Sequence, residues 1–141
     1  MEEFFEAAVR HWYDGKILEE NAEYDNAVCM QGFAAECALK KIIQTAYSIE
    51  VIKKYGHSGK EMLQDMCLML LNDNPLFSML DPTLGLRMSE LNISDILFQD
   101  HPARRYYKDN IYTAEDARLC RMDAEKVIHE MLRLYVDGYI K

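Results

Sequence analysis

Apolar residues recur along this chain at the three- and four-residue intervals that lay one face of a helix against a core. Phe5, Ala8, Trp12 and Leu18 line one side of a first helix predicted over residues 2–20, which stops at the polar run EENAEYDN. From Tyr24, positions Val28, Gly32, Ala35, Leu39, Ile42, Ala46 and Ile49 alternate four and three apart, predicting a second and longest helix with one nearly straight buried seam. Met30, Phe33 and Cys37 fall on another side of it, so this helix is either central to the fold or also meets a second subunit.

Gly56 supplies a helix stop, and Ser58 with Glu61 three residues on reads as a capping box for a third helix, whose buried face is Met62, Leu63, Met66, Met69 and Leu70. Residues 72–82, with NDNP and DP, read as a loop with at most a short helical turn. A shorter helical stretch follows over 84–97, interrupted near Asn92, Ile93 and Ser94. Residues 98–112 are aromatic and basic without a period, the composition of an ordered loop. Thr113 caps the last helix, with Glu115 and Asp116 in its first turn where the dipole favours negative charge. Ala117, Cys120, Ala124, Val127, Met131 and Leu134 form its buried stripe.

The fold class is therefore all-α, an up-and-down bundle of about five helices. At 141 residues and 50% hydrophobic, the chain can bury one core, so residues 1–141 are read as a single domain. Six Gly and three Pro leave little punctuation for many short strands. The formal charge of -8 repels phosphate backbones unless basic residues segregate on one face, which weakens a nucleic-acid role and leaves DNA binding unexpected. Cys29, Cys37, Cys67 and Cys120 show no C-x-x-C spacing and read as buried thiols, so no metal site is predicted. The acidic start MEEFFEAAVR is unlike a secretory signal, and the longest apolar run is too short for a bilayer; a cytoplasmic protein with no membrane partner is expected.

Three segments add a resemblance: FAAECALKKII from Phe33, GHSGKEML from Gly56, and RRYYKDNIYTAEDA from Arg104. In this order they resemble the HEPN family of small helical domains over about residues 20–137. Glu36, Leu39 and Lys40 stand in the family's AxExALK-like pattern, Gly56 and His57 in its Gly-His turn, Arg105 and Tyr106 in its RY-type segment, and Thr113, Glu115 and Ala117 at the start of its closing helix. The resemblance implies a helical bundle that is often a homodimer, either a binding module for nucleotides, RNA or a nucleotidyltransferase-type protein, or a metal-independent ribonuclease of toxin-antitoxin type. The ribonucleases use an Arg followed five to seven positions later by His, and this chain has no such pair.

Arg121 and His129 come nearest, at a spacing that spans about two helical turns and about 12 Å of rise. They belong more naturally, with Glu125 and Arg133, to an i, i+4 charge ladder on a solvated face. No catalytic residue is assigned. The ligand-binding candidates are His101, Arg104, Arg105, Tyr106 and Tyr112, whose basic and aromatic groups suit a phosphate and a flat ring, together with Lys40 and His57. The competing expectation is structural: Glu36 makes a helical ion pair with Lys40 and is bonded by the Arg105 fork, His57 is a turn residue bonding a helix end, and the tyrosines close the end of the bundle. No GxSxG elbow or GxxxxGK[ST] loop occurs.

The reading is a non-catalytic HEPN-like binding module without a cofactor, a homodimer that engages a nucleotidyltransferase-type protein, a nucleotide or an RNA. Its rivals are a metal-independent ribonuclease with a displaced site at His101, Arg104 and Arg105, and a structural homo-oligomer without ligand.

Overall fold

A computed structural model of the chain describes residues 3–45, 52–71 and 83–140, and of positions 66–71 and 85 only the backbone. Among the described residues stand the α-helices α1 (Phe4–Glu20), α2 (Tyr24–Gln44), α3 (Gly59–Leu71), α4 (Leu84–Ser89) and α5 (Ala114–Val136). Two 3-10 turns, η1 (Asp95–Leu97) and η2 (Ala103–Tyr106), lie between α4 and α5, and no strand occurs among the described residues. The fold is a helical bundle. No described helix is long and apolar enough to cross a membrane.

The centre is α2, which packs against α1, α3, α5 and both 3-10 turns. Val28, Gly32, Ala35, Leu39 and Ile42 are all buried along its seam; Ala46 and Ile49 lie outside the described residues. The apolar surface that wraps beyond this seam is explained inside one chain, since Cys37 is buried and Met30 and Phe33 are half-buried among neighbouring elements. Helix α1 contributes Phe4 and Ala8 to the core, with Phe5, Trp12 and Leu18 packed at its edge.

Helix α5 follows its predicted stripe: Ala117, Cys120, Ala124, Val127, Met131 and Leu134 are buried. Thr113 accepts a hydrogen bond from the Asp116 backbone N–H, and the Asp116 carboxylate accepts one from Thr113, closing a capping box. Helix α3 begins one residue after Ser58, whose carbonyl accepts the Met62 N–H at 3.1 Å. Gly56 turns the chain there with φ 56°. Met62 is buried and Leu63 half-buried, while the expectations for Met66, Met69, Leu70 and the loop at 72–82 fall outside what is described.

The non-helical segment between α4 and α5 is ordered by three fastenings. Asp123 on α5 accepts the Ser94 backbone N–H at 3.0 Å and the Ser94 hydroxyl at 2.5 Å. Arg104 reaches inward to four backbone carbonyls. Asp25, in the first turn of α2, accepts the N–H groups of Asn110, Ile111 and Tyr112 at 2.6, 3.1 and 2.9 Å. Backbone polar groups that neither helix nor sheet can satisfy are thus satisfied by side chains of α2 and α5 and by Arg104 of the segment itself.

Candidate functional site

Helix α2 places Glu36 on its inner side, where the carboxylate is 4% exposed. An ionised carboxyl at that depth needs donors for its lone pairs. Three side chains from three elements supply them. Lys40, one turn on, lies 2.9 Å from Oε2. His57, in the turn before α3, brings Nδ1 to 3.0 Å from Oε1 and 3.1 Å from Oε2. His101, from the segment leading into η2, places Nε2 2.8 Å from Oε1. Burial pushes the Glu36 pKa up, but the bonds from His101, Lys40 and His57 outweigh it and hold the carboxyl at about 2. Because an ionised carboxylate only accepts, His57 presents Nδ1–H and His101 Nε2–H. Burial, with the charge of Arg104 and the nearby His57, lowers the His101 pKa despite the opposing pull of Glu36, so the ring is neutral at pH 7 and its Nδ1 is a buried acceptor without a partner.

The two imidazoles differ in access, with 51% of the His57 side chain exposed against 1% for His101. Phe33 sits between them, edge-on to both rings at centroid distances of 5.9 and 4.6 Å, and His11 approaches it at 5.9 Å. Gly32 explains how the segment at His101 comes so near α2. A Cβ there would stand 2.5 Å from the Arg104 Nη2 and 2.7 Å from the His101 Nδ1, so a side chain at this position would displace both.

The expected Glu36–Arg105 ion pair does not form. Glu36 is bonded by Lys40, His57 and His101 instead, and the buried arginine is the neighbouring one. Arg104 donates from Nη1 to Ile96 O (2.6 Å) and Gln99 O (3.1 Å), and from Nη2 to Leu97 O (2.6 Å) and Val28 O (3.1 Å). In the tight turn of η2, consecutive residues leave on different sides, and Arg105 emerges exposed. Its guanidinium carbon lies 5.7 Å from the Phe33 ring centre and 4.8 Å from that of Tyr106, and it has no acidic partner among the described residues. His57, expected to bond a helix end, bonds Glu36.

The remaining candidates separate. Lys40 makes its helical pair with Glu36 and lies over the Phe4 ring at 5.6 Å. Tyr112 is half-buried, with the Arg104 guanidinium 5.8 Å from its ring centre. Tyr106 is 77% exposed beside Arg105. On α5, Arg121 bonds Glu125 as the ladder predicts and also crosses to Glu19 of α1 at 2.9 Å, while His129 and Arg133 are exposed. Arg118 pairs with Glu115. Arg104 is thus buried, and Arg118 and Arg121 are neutralised by acids. A cavity of about 480 Å³ opens between α3 and residues 93–100, lined in part by Lys60, Leu63, Phe98 and Gln99, but none of Glu36, His57 and His101 lines it.

Sequence reading offered His57 and His101 as ligand candidates and Glu36 only as an ion-pair partner, and the fold makes the three one cluster with ligand atoms all within 4.8 Å of one another. The residues are 21 and 65 positions from Glu36, far outside the local spacings that signal a site in sequence. Asp25 and Asp123 were also missed, because a carboxylate that accepts backbone N–H groups has no side-chain pattern to find.

No protein-family model, curated protein or solved structure matches this chain.

Proposed function

We propose that this chain is a non-catalytic, HEPN-like binding module that docks a protein partner through the surface of Phe33 and residues 105–111. The observation that supports this best is the placement of Arg105, a cation without an acidic partner among the described residues, lying over Phe33 and Tyr106. Exposed Arg and Tyr held in place by packing are the residue types that dominate protein interfaces. Tyr106, Tyr107 and Ile111 extend the surface, at 77%, 46% and 45% exposure. A partner carrying an acidic residue for Arg105 and an apolar patch for the tyrosines fits it. The sequence resemblance to HEPN domains suggests a nucleotidyltransferase-type protein, and a homodimer as the unit that binds it.

A nucleotide at the same place is the second reading, favoured by one feature: the Arg105 guanidinium can meet a phosphate while Tyr106 offers a ring for stacking. RNA is less favoured, because Arg118 and Arg121 are engaged by acids and the chain is acidic overall. A ribonuclease would have to use the exposed His57 and Arg105, since His101 and Arg104 are committed inside the fold.

Co-purification at native levels, with mass spectrometry of retained proteins and nucleotides, tests these readings for wild type and for a protein carrying Arg105→Ala and Tyr106→Ala. A partner retained by wild type and lost by the variant is expected. Equal retention by both proteins would overturn the assignment of this surface, and loss of a bound nucleotide instead of a protein would select the second reading.

A further inference from the structure

The convergence of Glu36, His57 and His101 leads us to propose a binding site for a divalent first-row transition-metal ion, with Glu36 Oε1, His57 Nδ1 and His101 Nε2 as ligands. The proposal is independent of the docking surface. Two imidazoles and one carboxylate with open positions are a donor set that suits Zn²⁺, Fe²⁺ or Co²⁺ rather than Mg²⁺ or Ca²⁺, which prefer oxygen.

Geometry supports the donor set. The nitrogens stand 2.8 and 3.0 Å from Oε1. An ion bound at about 2.1 Å from each donor would subtend about 85–90° between Oε1 and each nitrogen, the adjacent-ligand angle of a five- or six-coordinate centre. In the metal-free protein a proton occupies each of these short gaps, and an ion replaces both.

The surroundings permit that replacement. Lys40 bonds Oε2 at 2.9 Å, leaving Oε1 for the ion and fixing the carboxylate from behind. To bind metal, each neutral ring must carry its proton on the other nitrogen. For His101 that atom is the buried Nδ1, which has no hydrogen-bond partner, so its N–H is left unsatisfied at a cost that the metal bonds must outweigh. For His57 the ring is half open to solvent, so water can receive the N–H. The same exposure provides the entry path and a side for further ligands, while His101 at 1% exposure closes the opposite side. The ion would join α2, the turn before α3 and the segment before η2, three elements that otherwise meet here through hydrogen bonds.

Chelator-treated protein titrated with Zn²⁺ against a chromophoric competitor, and with Co²⁺ followed by its visible absorption, tests the site. One tightly bound ion per chain is expected, with a thermal midpoint that rises on adding Zn²⁺. His57→Ala, at an exposed position and with its fold checked by circular dichroism, should weaken binding by at least about tenfold and abolish the thermal shift. Arg105→Ala and His129→Ala should bind as wild type does. If wild type takes up no stoichiometric ion, or if His57→Ala binds equally well, the site does not exist and any ion is held elsewhere, for instance by the thiols. Loss of metal binding with the docking partner retained, or the reverse, separates this proposal from the functional one.

Discussion

His101 Nε2 lies 2.8 Å from Glu36 Oε1 across 65 residues of sequence, joining the loop before η2 to the middle of the central helix. Both partners are almost wholly enclosed, at 1% and 4% side-chain exposure. A contact of this kind links stability to pH, because protonating either group changes a buried charge.

Acid should therefore weaken the fold over a defined window. The His101 pKa is lowered by burial, so below about pH 6.5 the unfolded chain gains a proton that the folded chain resists. Glu36 is held at about 2, so between about pH 5 and 2 the unfolded carboxyl is protonated first and the folded state loses its advantage. From the ordinary value of 4.5 down to about 2, the Glu36 share is on the order of 3 kcal/mol. Urea midpoints measured from pH 7 to pH 3 should fall steadily for wild type and fall less steeply for Glu36→Gln. A flat wild-type profile would show that the carboxylate is not held in this way.

Arg104 and Arg105 should behave oppositely although they are neighbours. Arg104→Ala leaves four carbonyls short of a donor, two of them bonded within a buried setting, and should cost about 3 kcal/mol or more. Arg105→Ala removes an exposed cation stacked on rings and should cost under about 1 kcal/mol. Chemical denaturation of the two variants decides the point, and equal costs would contradict the inward and outward assignment.

Gly32→Ala should destabilise by about 1–3 kcal/mol, since the added methyl meets Arg104 and His101 rather than open space. Its effect should be less than additive with Arg104→Ala, which clears one of the two obstacles. Full additivity in a double-mutant cycle would mean that the close approach is not where the cost arises.

Asp123→Ala should loosen residues 92–97. Its carboxylate is buried and holds the Ser94 N–H and hydroxyl, so the cost is about 2 kcal/mol, with faster hydrogen exchange at Ser94. Unchanged exchange at that amide would argue against the fastening.

How far sequence reading reached depended on the kind of interaction. The stripe of α5 and the seam of α2 were legible because helical period turns spacing directly into a face, and Thr113 as the cap because capping is local, although its reciprocal bond with Asp116 was not foreseen. The Glu36–Lys40 pair was legible for the same reason. The choice between Arg104 and Arg105 was not, because residues 98–112 have no period and a 3-10 turn decides which side chain points inward. Asn92 to Ser94 announced an interruption, yet nothing local announced that Asp123 would receive Ser94.

By itself, then, the sequence determined an all-helical bundle, the seam of its long second helix and the buried stripe of its last helix, since these follow from local periodicity and capping. Only the tertiary structure decided that Glu36 is enclosed by Lys40, His57 and His101, that Arg104 rather than Arg105 enters the core, and that Arg105 is left facing solvent over Phe33 and Tyr106. The physical reason is that a buried carboxylate or guanidinium takes whatever partners the packed chain brings within hydrogen-bonding distance. That is settled by how the loop before α5 lies against Gly32, and no spacing in the sequence encodes it.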